Sequence, residues 1–243
     1  MIPIKPVDKV ANFIKELLFP SFCLGCQKEG TYLCPDCVSI LEISEYNYCL
    51  CNKPLRLQKP GKCPRCQDKK LAGLFFALPY QEKFLTKKLI KQFKYQPYIK
   101  DLAKPLAGIL LEHFLLAQHN LESVWKNSVL IPVPMEITKL KSRGYNQSQE
   151  LANELSKTLK TPVLSEHLIK IKKTEPQMEL SAKERQENLK DAFTIKNSAK
   201  IAGKKVFLVD DVYTTGSTME ECANVLRTFG AKEVWGITIA REG

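Results

Sequence analysis

The chain has 243 residues and no run near the roughly 18 uninterrupted apolar residues that a membrane-spanning helix needs. A transmembrane segment is therefore not expected. The opening stretch, MIPIKPVDKVANFIKELLFP, lacks the unbroken apolar centre of a secretory signal, because Asp8, Lys9, Lys15 and Glu16 interrupt it. An amphipathic helix over roughly Val7–Leu18, stopped before Pro20, suits it better. A P-loop is also missing. Gly61-Lys62 and Gly203-Lys204 are followed by Cys63 and Lys205, where that motif needs Ser or Thr. No residue stands out as a covalent nucleophile, and Cys222 reads as a small buried apolar residue of a helix. Nine cysteines without a leader point to a reducing, cytoplasmic setting in which cysteine binds metal rather than forming disulfides.

What is present begins with four close cysteine pairs: Cys23/Cys26, Cys34/Cys37, Cys49/Cys51 and Cys63/Cys66. Three are C-x-x-C, a spacing that turns two sulfurs towards one tetrahedral ion. Two structural Zn²⁺ ions in closed four-thiolate sites are expected. The simplest pairing is sequential, though spacing alone leaves interleaving open. A closed site has no position for water, so the head is a structural staple or a nucleic-acid contact, not a catalytic centre.

The most informative segment is KVFLVDDVYTTGST, residues 205–218. Val206–Val209 reads as a strand buried on both faces, and Asp210 and Asp211 follow at what is expected to be an exposed strand end. Thr214, Thr215, Gly216, Ser217 and Thr218 then lead into a helix over about 217–229, stopped by Gly230. Turn N–H groups and the helix dipole attract phosphate, Gly216 permits close approach, and two carboxylates can accept from two sugar hydroxyls. Ser217 with Glu220 has the spacing of a capping box, which is compatible with phosphate binding.

Asp-Asp-x-x-Thr-Thr-Gly-Ser-Thr after four apolar residues resembles the phosphoribosyl-pyrophosphate (PRPP) motif of type I phosphoribosyltransferases. IPVPMEITKLKSRGYNQSQELANEL (131–155), EPQMELSAKERQENLKDAF (175–193) and the head ending in CNKPL (51–55) narrow the resemblance to the ComF family and its GntX-type relatives. It implies an α/β fold: a doubly wound, mainly parallel sheet of type I phosphoribosyltransferase kind, preceded by a small Cys-rich zinc ribbon head. The expected division is 1–22 amphipathic helix, 23–72 double zinc ribbon and 73–243 phosphoribosyltransferase-like domain. Asp210 and Asp211 would hold the ribose, Thr214–Thr218 the 5′-phosphate and Arg143 the pyrophosphate, with Mg²⁺ accompanying PRPP. Lys172–Lys190 would form a mobile lid, with Gln177, Arg185 and Asn188 as its working residues. Where the family has C-x-x-C-G-x-P, this chain has Tyr48, Cys49, Cys51, Asn52 and Pro54, so the Cys49/Cys51 site is expected to be the weaker, with Asn52 in a left-handed turn.

Further elements follow from pattern. Strands are expected at Gly73–Leu78, Ser128–Pro134, Pro162–Lys170 and Val234–Ala240, and helices at 82–95 and 101–121. Ser181 with Glu184 would cap a short lid helix. Lys87, Lys91 and Lys94 share one face of the first helix and form either a basic ridge for phosphates, those of single-stranded DNA or of pyrophosphate, or an ordinary solvated face. The formal charge of +11 would fall to about +7 with two zinc-thiolate sites, leaving the positive charge mainly in residues 79–243. Only Arg241, Glu242 and Gly243 follow the last strand, so an acceptor pocket is expected from 79–127, the lid or the head. Two functional classes stay open. One is a competence-linked protein that binds PRPP or ribose 5-phosphate groups and handles single-stranded DNA beside DNA-uptake proteins such as a helicase. The other is an active phosphoribosyltransferase of nucleotide metabolism.

Overall fold

A computed structural model describes residues 19–80, 85–117, 124–172 and 188–242. The expected N-terminal helix and the lid helix lie outside them. The chain divides into two compact units, Met1–Leu41 and Glu42–Gly243. That boundary falls between the second and third cysteine pairs, inside the stretch read from sequence as one ribbon head. In the first unit an antiparallel bridge joins Phe22 to Glu29, and α1 (Pro35–Ser39) starts on a proline whose missing N–H costs nothing at a helix start.

The second unit runs β1 (Asn47–Tyr48), β2 (Arg56–Leu57), β3 (Gly73–Pro79), α2 (Leu85–Lys94), α3 (Ala103–Leu116), β4 (Ser128–Pro132), α4 (Ile137–Arg143), α5 (Gln147–Leu159), β5 (Leu168–Lys170), β6 (Phe193–Ile195), β7 (Lys205–Tyr213), α6 (Ser217–Thr228) and β8 (Glu233–Arg241). Six strands form one sheet in the order β2-β1-β3-β8-β7-β4. β3, β8, β7 and β4 are parallel, and the β1–β2 hairpin adds an antiparallel edge through Tyr48 opposite Leu74.

Alternation divides the apolar residues between two faces. On one, the Phe75 ring stacks on Trp235 at 5.4 Å and meets Phe114 of α3 edge-on at 5.6 Å. On the other, Leu74, Phe76, Val206, Leu208 and Val234 share a core with Met219, Cys222, Ala223 and Leu226 of α6. Both faces are covered, which is why these strands read as continuous apolar runs. The doubly wound, mainly parallel sheet matches the expectation. Gly230 stops α6 with φ 93°, and Ala231 N–H returns to the Leu226 carbonyl.

One expected strand is different. Pro162–Lys170 contributes only a bridge, Val163 to Leu130, to the main sheet. Its end, β5, turns away to pair antiparallel with β6 in a separate ribbon. Among the described residues no helix is long and apolar enough to cross a membrane.

Candidate functional site

β7 does not stop at Val209. It runs through both acids to Tyr213, because β8 keeps pairing beside it as far as Tyr213 opposite Arg241. The two carboxylates therefore sit within sheet structure. Asp211 is only 2% exposed, which corrects the expected exposed position. Its oxygens accept from Lys94 Nζ at 3.1 Å and from Gln147 Nε2 at 3.0 Å. Asp210 Oδ1 accepts from Ser148 Oγ at 2.9 Å and from the Asp211 N–H at 2.9 Å. Burial, and then the Asp211 charge, push Asp210 up to about 7 although Lys94 pulls the other way. Burial opposes the Lys94 charge, but Asp211 and Asp210 outweigh it and hold that ammonium above its ordinary range.

Arg143 reaches this cluster through one residue. It ends α4, where Gly144 takes the left-handed conformation with φ 82° and turns the chain into α5. Asn146 caps α5, accepting from Ser148 N–H. That cap sets Gln147 and Ser148 at the helix start, and Arg143 Nη1 donates to Gln147 Oε1. The guanidinium also lies 5.9 Å from the Tyr98 ring centroid, and its Nε is buried without a partner among the described residues. Arg143, Gln147, Asp211 and Lys94 thus form one connected chain. Gln147, Ser148 and the pairing of Lys94 with Asp211 escaped the sequence reading, although the first two lie in the quoted RGYNQSQE stretch and that reading sets a lysine of the 87–94 ridge near the pyrophosphate.

The Thr214–Thr218 turn follows. Gly216 is the N-cap of α6 with φ 78°, and an added Cβ would fall 2.2 Å from Tyr213 Oη. Only glycine fits there. Thr215 Oγ1 and Ser217 Oγ are 2.9 Å apart. The expected capping box does not form. Glu220 instead accepts Lys70 N–H at 2.7 Å and Leu71 N–H at 3.2 Å. A cleft of about 460 Å³ is lined by Thr215, Ser217, Glu220, Glu221, Asn224 and the turn Asp68–Lys70.

The structure gathers the cysteines sequentially: Cys23, Cys26, Cys34 and Cys37 in one group, Cys49, Cys51, Cys63 and Cys66 in the other, each with all sulfurs within 4.8 Å. The closest S···S distances are 3.5–3.7 Å. A tetrahedron with Zn–S bonds of about 2.3 Å has edges of about 3.8 Å, so both groups fit Zn²⁺. Crowded thiols divide their protons unequally. Burial and then neighbouring sulfurs push Cys37 and Cys51 up to about 12. Burial acts the same way on Cys23 and Cys63, but hydrogen bonds win and bring both down to about 6. A divalent cation resolves this competition by replacing the protons. Cys49 joins its group despite the irregular spacing, with Leu55 N–H on its sulfur at 3.1 Å. Asn52 is not left-handed, so that turn needs no glycine. Cys222 is fully buried, and burial holds its thiol well above the ordinary value.

Gln177 and Arg185 lie outside the described residues. Asn188 is half-buried beside Leu189, which belongs to the core. On α2, Lys91 is exposed, whereas Lys94 turns in to Asp211, so the three-lysine ridge loses its last member.

Similarity to known proteins decides the family. The phosphoribosyl transferase domain matches residues 103–243. The chain belongs to that family. Its relatives of ComF type span almost all of it. Competence protein F of Haemophilus influenzae is 33% identical, covering 90% of each chain. Competence protein ComFC of Streptococcus pneumoniae is 27% identical over 94% of this chain and 96% of its own. The DNA utilization protein YhgH of Salmonella typhimurium is 29% identical over 84% of this chain and 95% of its own. The ComF resemblance read from the motifs holds.

Proposed function

We infer that this phosphoribosyltransferase-family protein binds PRPP or a ribose 5-phosphate group, with Mg²⁺ accompanying PRPP, and serves DNA uptake by handling single-stranded DNA. The observation that carries the ligand half is the Asp210–Asp211 pair, held by Ser148, Gln147 and Lys94 immediately before the Gly216 turn. Ser148 and the Asp211 N–H both bond Asp210 through Oδ1, which leaves Oδ2 for a ribose hydroxyl. Thr215, Ser217 and the α6 N-terminus supply phosphate donors. Arg143 and Lys94 supply positive charge for a pyrophosphate. Mg²⁺, when bound, would neutralise that group. The names of the relatives, competence and DNA utilization proteins, support the uptake half.

Calorimetry with PRPP and Mg²⁺ tests the reading. Thr215→Val is expected to weaken binding by roughly 1.5–3 kcal/mol, the scale of a hydrogen bond to a charged group. Absence of binding at millimolar ligand overturns it. The transferase reading differs in one outcome: acceptor-dependent release of pyrophosphate from PRPP.

A further inference from the structure

We propose that Lys69, carried by the turn that closes the second four-cysteine group, binds the phosphate in the Thr215–Ser217 cleft and is set in place by metal in that group. The proposal rests on the phosphate reading above and adds to it a residue from outside the family motif.

The turn is a rigid extension of the cysteine knuckle. Lys69 N–H bonds the Cys66 carbonyl at 3.2 Å, and Lys62 Nζ clips the turn by bonding the carbonyls of Gln67 and Lys69 at 2.8 and 2.9 Å. The turn is then locked to the phosphate helix, since Glu220 accepts from the next two N–H groups, Lys70 and Leu71. These contacts deliver the Lys69 ammonium to Tyr213 Oη at 3.2 Å. Tyr213 is the residue whose hydroxyl packs against Gly216 of the phosphate turn. A second tie runs along β8. Arg241, 2% exposed, donates to the Cys49 carbonyl at 2.6 Å and to that of Cys51, and its guanidinium lies 5.4 Å from the Tyr213 ring centroid. Tyr213 is therefore held between two residues whose positions depend on the cysteine group.

Lys69 is one of two ammonium groups facing three carboxylates, so its loss doubles the excess negative charge at the cleft. The cleft carries Lys69 and Lys70 against Asp68, Glu220 and Glu221. Glu220 is engaged by two backbone N–H groups, and Glu221 accepts from Asp191 N–H. Without Lys69 the walls hold three carboxylates and one ammonium, a setting that repels a phosphate dianion. An ammonium has three donors and Tyr213 takes one, so Lys69 can hold the phenol and the phosphate together.

Ribose 5-phosphate titrated calorimetrically into the full chain, with inorganic phosphate as a second probe, tests this. In zinc-loaded protein Lys69→Ala is expected to weaken ribose 5-phosphate binding by roughly 10- to 100-fold, and Lys69→Arg to restore most of it. Stripping the zinc with a chelator is expected to weaken wild-type binding similarly, yet to cost the Lys69→Ala variant little more, because both changes remove one interaction. Wild-type affinity in Lys69→Ala alongside a weakened Thr215→Val overturns the Lys69 assignment and leaves the phosphate reading standing. An equal cost of stripping in both backgrounds overturns the metal coupling. No binding by any protein overturns both readings.

Discussion

The two four-cysteine groups hold the same donors and sit in unlike surroundings. In the first, three of the cysteines and Leu33 are buried, while Cys26 stays exposed. Around the second, Cys49, Cys63 and Cys66 share one apolar cluster with Leu50, Leu71, Leu74, Phe76, Tyr213 and the α6 residues, and Arg241 grips its backbone. Among its described residues the first unit buries few apolar side chains, and a small unit of that kind is expected to depend on metal for folding. The second group has a further consequence: its loop forms part of a larger core and one wall of a cleft. Ligand sets thus describe what a metal site can bind, and the neighbours describe what the metal is for.

The largest effects should come from breaking each group in turn. Structural zinc sites contribute on the order of 10 kcal/mol to folding. Cys37→Ser is expected to unfold the first unit and leave the calorimetric transition of the second near its wild-type temperature. Cys66→Ser is expected to lower the second transition and to weaken ribose 5-phosphate binding about as much as Lys69→Ala does. Equal behaviour of the two variants would erase the distinction. Metal release sharpens it further. Irregular spacing predicts that the Cys49/Cys51 site loses metal first, whereas its burial and the Arg241 grip predict that the Cys26 site does. The burial argument is the stronger, because a chelator must reach the sulfur before spacing matters, and a timed release assay decides between them.

Arg241→Met is next. It keeps apolar bulk but leaves the Cys49 and Cys51 carbonyls without their donor. One buried and one partly buried acceptor at about 1–3 kcal/mol each predict a loss of roughly 2–6 kcal/mol in urea unfolding of the second unit. The first unit should be unaffected.

How much of this was legible in the sequence depended on distance along the chain. The phosphate turn was legible because strand, acids, glycine and helix are contiguous. So were the cysteine groups, whose pairs announce themselves by spacing. Gln147 and Ser148 meet Asp211 and Asp210 across 64 and 62 positions, and Lys94 meets Asp211 across 117, so only the packing of α2 and α5 against β7 reveals them. Lys69 reads as a surface residue until Tyr213 is beside it. β6 has only three residues and forms on account of β5. The antiparallel edge was missed for the same reason, since β1 and β2 have two residues each.

The acid pair asks whether metal alone governs the second unit. Folded Asp210 titrates at about 7 against an ordinary 3.8. A raised acid contributes stability below about pH 4 and loses it as pH rises through about 7. Wild-type protein therefore carries a penalty at about pH 8 that Asp210→Asn removes. The variant should melt higher than wild type at about pH 8, with the gain shrinking towards about pH 5 and the first unit unchanged at both. Asp211→Asn should do the opposite, because it strands the Lys94 charge in a partly buried site. A pH-independent difference for Asp210→Asn would show that this carboxylate is not the titrating group.

The smallest effect separates the two units as DNA contacts. Each phosphate neutralised on a single strand contributes a slope of about 0.7 to the fall of log affinity with log salt. Lys91 is exposed on α2, in the part of the chain that keeps its positive charge after zinc loading. Lys28, in the first unit, lies 3.6 Å from Asp36 and has a carboxylate already beside it. In the intact zinc-loaded chain, Lys91→Ala should reduce the slope for single-stranded DNA by up to about 0.7, and Lys28→Ala should leave it unchanged. The reverse would move the DNA contact to the first cysteine unit. It would also give that unit a role beyond the metal-dependent folding expected of it.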